Sequence, residues 1–171
     1  MLTLIARFRG VSLLACLLLF VSLAPLAVAA AIPPVDAPGL ALSVEEHAVW
    51  ALVANARMSA GLSVPPIDVQ TTVLARARSA DMATRRYFGH ASPDGTTFLD
   101  LMPTYGITGQ LAGETIQENN YADSPAEAAR ALIASPEHHA ILFDPRFTIA
   151  GVGHAVGTNG THYFTIIVVQ P

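Results

Sequence analysis

The chain has 171 residues, of which 52% are hydrophobic, and its net charge at pH 7 is −4. It contains no lysine and a single cysteine, Cys16. A chain this acidic, without a basic stripe, is a poor candidate for binding nucleic acid or anionic lipid headgroups through charge, so we expect no nucleic-acid partner.

Residues 1–31 have the three parts of a secretory signal peptide. Arg7 and Arg9 precede an uncharged apolar run that ends in a cluster of small residues around Ala29. An uncleaved anchor is the alternative, because roughly 20 apolar residues can span a bilayer. The small residues favour cleavage, after which no stable membrane span would remain. We therefore expect a protein that is secreted or lies in the periplasm or cell envelope.

Removal of this segment leaves about 140 residues, a typical size for one domain with one core. Its seven arginines stand against 13 acidic residues, a net charge of −6, and it has no cysteine. The domain must therefore be stable without disulfides. Residues 32–42 are rich in proline and are predicted to be a linker, and residues 43–171 are predicted to form the domain.

Two helices are predicted at the start of the domain. Ser43 and Glu46 have the spacing of a capping box, and Gly61 is predicted to end the first helix. Asp68 is predicted to cap the second helix. Helical spacing predicts that its buried stripe consists of Val69, Val73, Ala77, Ala80 and Tyr87.

The rest of the domain is predicted to mix short helices with strands. Further helices are expected over residues 97–102, after Ser124 as N-cap, and after Ser135. Strands are expected over residues 111–118, 149–154 and 163–169, the last two joined by a hairpin at Asn159-Gly160. Helices first and strands later predict an α+β layered domain.

Three places concentrate polar residues in apolar surroundings. Glu114 interrupts an apolar run, where a buried carboxylate needs a partner, and a histidine is the obvious candidate. His90 precedes a turn, and His138 and His139 open a short helix. Each also has a simpler interpretation. His90 could be an ordinary turn histidine, Glu114 could face solvent from an edge strand, and His138 and His139 could be a solvated helix start.

Short motifs do not decide the chemistry. No two histidines lie four apart on one helix, so spacing alone is a weak signal for a metal. The domain has no Gly-rich phosphate loop, no Gly-x-Ser-x-Gly elbow and no cysteine nucleophile.

The ordered blocks taken together are more informative. They are residues 52–57 (LVANAR), 87–95 (YFGHASPDG), 112–114 (AGE), 135–142 (SPEHHAIL) and 147–153 (FTIAGVG). With these blocks the chain, from residue 44 to residue 169, resembles the CAP superfamily (cysteine-rich secretory proteins, antigen 5 and plant pathogenesis-related proteins), in particular its cysteine-free bacterial SCP-like branch. The resemblance implies an α-β-α sandwich with a central antiparallel sheet and a surface cleft.

The resemblance also implies a site. His90 and His138 would be the two cleft histidines, able to bind Zn²⁺ or another divalent cation, and Glu114 would be the first acid. The chain departs from the usual pattern at Thr115, where an asparagine is common, and at residues 136–139 (PEHH), where Pro-Gly-His-Arg is common. His139 could therefore add a third imidazole to the cleft, while the position of the second acid has no secure match.

Three functions remain open at this point. The first is a non-catalytic binding module with a metal in the cleft and an apolar site beside it for a lipid, a sterol or a peptide. The second is a metal-assisted, peptidase-like hydrolase in which His90 and His138 hold zinc and Glu114 is the general base. The third is a structural or interaction protein of the cell envelope. The lack of a nucleophile favours the first.

Overall fold

The computed structural model describes residues 41–171. The predicted signal peptide (1–31) and nearly all of the predicted linker (32–42) lie outside the described residues. No helix of residues 41–171 is both long enough and apolar enough to cross a bilayer.

Five α-helices, one 3₁₀ turn and three strands make up the described part of the chain. The fold is α+β, as predicted. In chain order the elements are α1 (Val44–Ser59), α2 (Val69–Arg85), α3 (Phe98–Leu101), a 3₁₀ turn (Met102–Tyr105), β1 (Leu111–Asn119), α4 (Ser124–Ala134), α5 (Pro136–Leu142), β2 (Ile149–Val156) and β3 (His162–Gln170).

The capping box at the start of α1 is confirmed. The Ser43 backbone N–H donates to Glu46 Oε2 at 2.8 Å, and the Glu46 N–H donates to Ser43 Oγ at 3.2 Å. These two bonds satisfy amides that a helix start leaves without partners. Gly61 follows the helix with φ +75°, a conformation that suits glycine.

The predicted buried stripe of α2 is wrong, although its cap Asp68 is confirmed. None of the five predicted stripe residues is buried. The face of α2 that points inward is not the predicted one. It is partly polar, and a prediction based on apolar residues alone does not detect such a face. The buried residues are Thr71, Thr72, Leu74, Ala75, Arg78, Ser79, Met82 and Ala83.

The three strands form one antiparallel sheet in the order β1-β3-β2. The central strand β3 is buried along almost its whole length, from Tyr163 to Val169. Because side chains alternate along a strand, β3 supplies Phe164, Ile166 and Val168 to one core and Ile167 and Val169 to another. Helices α1, α4 and α5 cover the first face and α2 and α3 the second, which gives the expected α-β-α sandwich.

Two glycines of β2 set how closely α2 approaches the sheet. A Cβ atom at Gly151 would lie 2.2 Å from the Thr71 carbonyl carbon, and one at Gly153 would lie 2.2 Å from that of Ala75. Backbone therefore lies directly on backbone there, a close approach that only glycine permits.

The N-cap of α4 differs from the prediction by one residue. Asp123, not Ser124, is the cap, and its side chain accepts from the Ala126 N–H. Ser124 is already helical and buried. The carboxylate of Asp123 caps the helix in preference to the Ser124 hydroxyl because it is the stronger acceptor at the positive end of the helix dipole.

We predict that Gly153→Ala destabilises the domain by about 3 kcal/mol or more, because helix and strand must separate to admit the methyl group. Urea denaturation followed by circular dichroism measures this. The matched control is Gly89→Ala, whose Cβ would lie 3.6 Å from its nearest neighbour, the Ala91 carbonyl oxygen, and should cost less than about 1 kcal/mol. Equal stability of the two variants would contradict the close contact.

Candidate functional site

Glu114 lies on β1, an edge strand, but its side chain points under α2 and is only 1% exposed. The neighbours on the same face of β1, Ala112 and Ile116, pack into the cores beneath α2 and α3. The solvent-facing alternative for this glutamate is therefore wrong. A carboxylate this deeply buried requires strong partners.

The first partner is Arg78 of α2, which the sequence analysis missed. Its side chain is 1% exposed, and its Nε–H donates to Glu114 Oε1 at 2.8 Å. The other four N–H groups donate to four oxygens of one loop, so all five donors of the guanidinium are used. These acceptors are Tyr87 Oη, Ser92 Oγ and the carbonyls of Gly89 and His90, at 2.9–3.1 Å.

The helical spacing carried a signal for this arginine. Arg78 lies four residues from both Leu74 and Met82, each fully buried, so it shares their face of α2. Arginine is rarely buried, which is why an apolar pattern passes over it.

The second partner of Glu114 is His90. Its Nδ1 lies 2.8 Å from Glu114 Oε2, so the carboxylate bridges the guanidinium and the imidazole. The His90 side chain is 55% exposed, and this contact leaves Nε2 free to meet a ligand. The turn histidine of the simpler interpretation is therefore also a partner of the buried acid.

His138 completes the group from the first turn of α5. Its ring centroid lies 6.4 Å from that of His90, with the ring planes inclined at 56°. Burial, and then the charge of His90, lower the pKa of His138, so that its imidazole is neutral at pH 7. Two residues 48 positions apart in the chain thus share one side of the molecule with Glu114.

His139 has a different environment. Its ring stacks on that of Phe143 at 3.9 Å, with the planes 4° apart. The structure brings His90, Glu114 and His138 together, whereas the ring of His139 packs on Phe143, the residue that follows α5.

A network of hydroxyl and carboxylate groups fixes the loop that carries His90. Asp81 Oδ2 accepts from Tyr87 Oη at 2.6 Å and from Ser92 Oγ at 2.9 Å. Both hydroxyls also accept from Arg78. Sequence reasoning named none of these as site residues, because they act on His90 only through the loop.

Within residues 41–171 no group of three or more His, Cys, Asp and Glu residues has an arrangement that could hold a metal ion. The site offers two imidazoles, with Glu114 behind one of them. A cation here would take two protein ligands, and water or a bound molecule would complete its coordination.

An open groove begins near the site, where α3 and the 3₁₀ turn meet the start of β1. It has a volume of about 400 Å³ and is lined mainly by apolar groups, among them Leu99, Met102, Ile107 and Ala112. Its lining residue nearest to the site in the chain is Ala112, two residues before Glu114 on the same face of β1, while His90, Glu114 and His138 do not line the groove. A second hollow, of about 370 Å³, lies at the start of α4 and includes none of the site residues.

The α-β-α sandwich is the fold that this chain shares with solved SCP-domain structures. The profile of the CAP family, described as the cysteine-rich secretory protein family, matches residues 50–170. The chain belongs to this family.

Bacterial proteins are among its relatives. YkwD of Bacillus subtilis (strain 168) is 34% identical over 113 residues, 66% of this chain and 43% of YkwD. An extracellular protein of Bacillus anthracis (strain Ames) with an SCP domain superposes with a TM-score of 0.64 at 24% identity, covering 78% of this chain and 45% of that one. An outer surface protein of Borrelia burgdorferi gives a TM-score of 0.68 at 17% identity, covering 77% and 96%. This chain thus spans less than half the length of the first two.

We predict that Arg78→Met destabilises the domain by about 3–5 kcal/mol, because it leaves Glu114 buried with its main counter-charge removed. Arg78→Lys should fall between this variant and the wild type, since it keeps the charge but not the five-donor fork. Chemical denaturation measures both.

The matched control is Arg130→Met. Arg130 pairs with Glu127 on the surface with 69% of its side chain exposed, and its loss should lower the stability far less than the loss of Arg78, because solvent screens the exposed pair. Similar losses for Arg78→Met and Arg130→Met would show that the buried pair contributes little.

Proposed function

We propose that this domain is a non-catalytic binding module that acts outside the cytoplasmic membrane, either secreted or in the periplasm or cell envelope. Its His90–His138 pair holds a divalent cation such as Zn²⁺, and the neighbouring groove takes the apolar part of a lipid, a sterol or a peptide. The observation that carries the proposal is the contact of His90 Nδ1 with the buried carboxylate of Glu114.

The histidine pair suits a borderline-soft cation. A metal-binding histidine commonly donates its second ring N–H to a carboxylate, which fixes the ring and its tautomer. His90 has this arrangement through Nδ1, which leaves Nε2 as the ligand atom. His138 contributes a second imidazole that burial keeps neutral and available. The cation would supply a positive, Lewis-acidic centre to a polar group of the bound molecule.

The same geometry disfavours the peptidase-like hydrolase. A general base must accept a proton from water, yet Glu114 already uses Oε1 for Arg78 and Oε2 for His90. Its side chain is also 1% exposed, so water does not reach it. Glu114 is better suited to orient His90 than to take up a proton.

The groove suits an apolar ligand because its lining is largely aliphatic and open to solvent. Leu99, which lines it, is 55% exposed, while Met102 and Ile107, also in the lining, are 7% and 5% exposed and form its apolar floor. The groove ends at Ala112, two residues before Glu114 on β1, so a ligand that extends beyond the groove along this strand would place its polar end at the histidines and its apolar end in the groove.

We predict that Zn²⁺ shifts the ring resonances of both His90 and His138 in NMR spectra of the untagged protein. His138→Ala should weaken the response of His90 to Zn²⁺ at least about tenfold, because one of two ligands is removed. His47→Ala is the matched control, since His47 is an exposed histidine of α1. An unchanged Zn²⁺ response of His90 in His138→Ala would overturn the metal-binding proposal.

We predict that Leu99→Asp weakens the binding of a fluorescent fatty acid or sterol at least about fivefold, because it places a charge in the apolar groove. Leu52→Asp is the control: Leu52 is 41% exposed on α1 and does not line the groove. Fluorescence titration measures both affinities, and equal affinities would exclude the groove as the ligand site.

A further inference from the structure

A second pair of histidines lies on the β2–β3 hairpin, away from the candidate site. His154 on β2 is opposite Phe164 on β3, and His162 is two residues earlier on β3, so the two histidines are diagonal neighbours. They share the sheet face of Ala150, Val152 and Ile166, which is covered by α1 and α4. Glu114 points to the other face.

The distance between the two rings is short. His154 Nε2 lies 3.0 Å from His162 Nδ1, and the ring centroids are 5.2 Å apart. Two nitrogens bound to one Zn²⁺ at 2.0–2.1 Å are separated by about 3.3 Å in a tetrahedral site. When the N–metal–N angle is 90°, as in a tetragonal Cu²⁺ site, the same bond lengths separate the two nitrogens by about 2.9 Å. The observed distance lies between these two values.

The rings are held in place before any ligand arrives. His154 stacks on Phe164, with centroids 4.6 Å apart, and the plane of His162 is 11° from that of the same phenylalanine. Both histidines are half-buried, so they are ordered by packing and still open to solvent. A pre-organised pair loses little side-chain entropy when it binds.

Acidic groups accompany the pair. Glu45 and Glu46 occupy the first turn of α1. The pKa of Glu45 is lowered first by hydrogen bonding to its own backbone, then by the hydrogen bond from Ser43 Oγ, and to a smaller extent by the charges of His154 and His162. Glu46 forms an ion pair with Arg76, and Glu45 Oε2 accepts from Ser43 Oγ at 3.2 Å, so Glu45 contributes a nearby negative charge rather than a ligand atom. Its negative charge offsets the unfavourable effect of the helix N-terminus on a cation.

From this geometry we infer that His154 and His162 form a second site for a late first-row divalent cation, Zn²⁺ or Cu²⁺, with Glu45 as the neighbouring carboxylate and water completing the coordination. Without a metal, one ring donates its N–H to the other. On binding, that proton moves to the far nitrogen of its own ring, so both facing nitrogens become ligands and neutral rings release no proton.

The test is calorimetric titration of Zn²⁺ into untagged protein that carries His90→Ala and His138→Ala, which removes the first histidine pair. We expect one remaining Zn²⁺ per chain. Adding His162→Gln should weaken this binding at least tenfold, and adding Glu45→Gln should weaken it a few-fold. His47→Gln, added to the same background, is the control and should leave the affinity unchanged.

The two metal proposals fail separately. Loss of all Zn²⁺ binding in the His90→Ala, His138→Ala protein would overturn the second site and leave the first intact. Binding that survives His162→Gln unchanged would also overturn it. Thermal melts without metal show whether His162→Gln remains folded; if it does not, His154→Gln provides the same comparison.

Discussion

The fold and the site both depend on the ion pair between Arg78 and Glu114. It joins α2 to the edge strand β1, with both side chains 1% exposed and a contact of 2.8 Å. Burying two charges is costly, and their attraction alone does not recover that cost. Here every N–H donor of the guanidinium has an acceptor, and four of these acceptors lie on the loop that carries His90. The group that neutralises Glu114 therefore also positions the histidine.

This arrangement assigns different roles to the polar residues of the site. Glu114 is fully engaged and acts as an orienting group, while His90 keeps one nitrogen for a ligand and is 55% exposed. Within residues 41–171 no hydrogen bond joins His138 to a carboxylate, and burial lowers the pKa of its imidazole, which is therefore neutral at pH 7. A carboxylate held in this way keeps the ring of His90 in one orientation, and the proposed binding site depends on that orientation.

Much of the fold and part of the site could be predicted from the sequence, because the residues that indicate them are close together in the chain or form ordered blocks. Caps and turns gave the α1 capping box, the Asp68 cap and the hairpin at Asn159-Gly160, and the resemblance gave the sandwich and the pairing of His90 with Glu114. Arg78 was missed because its burial is meaningful only with Glu114, 36 residues later in the chain. The rotation of α2 was missed for the same reason, since polar residues on its inner face find their partners on other elements.

The glycines of β2 help to explain why the residue that binds Glu114 from α2 is an arginine. Gly151, Ile167 and Glu114 lie in one row across the sheet, because Ile167 pairs with both of the other residues. Helix α2 contacts the glycine end of this row through Thr71, and further along the helix Met82 packs in one cluster with Ile116 of β1, so α2 crosses the sheet towards the edge that carries Glu114. Arg78 lies between these two points, and its fork binds acceptors spread over Glu114 and the 87–92 loop. Lysine has three donors on one atom and cannot serve acceptors so far apart. The small residues on β2 and the arginine on α2 are therefore parts of one constraint: close helix–sheet packing brings the guanidinium low enough to bind the carboxylate, and its planar fork then holds the histidine loop.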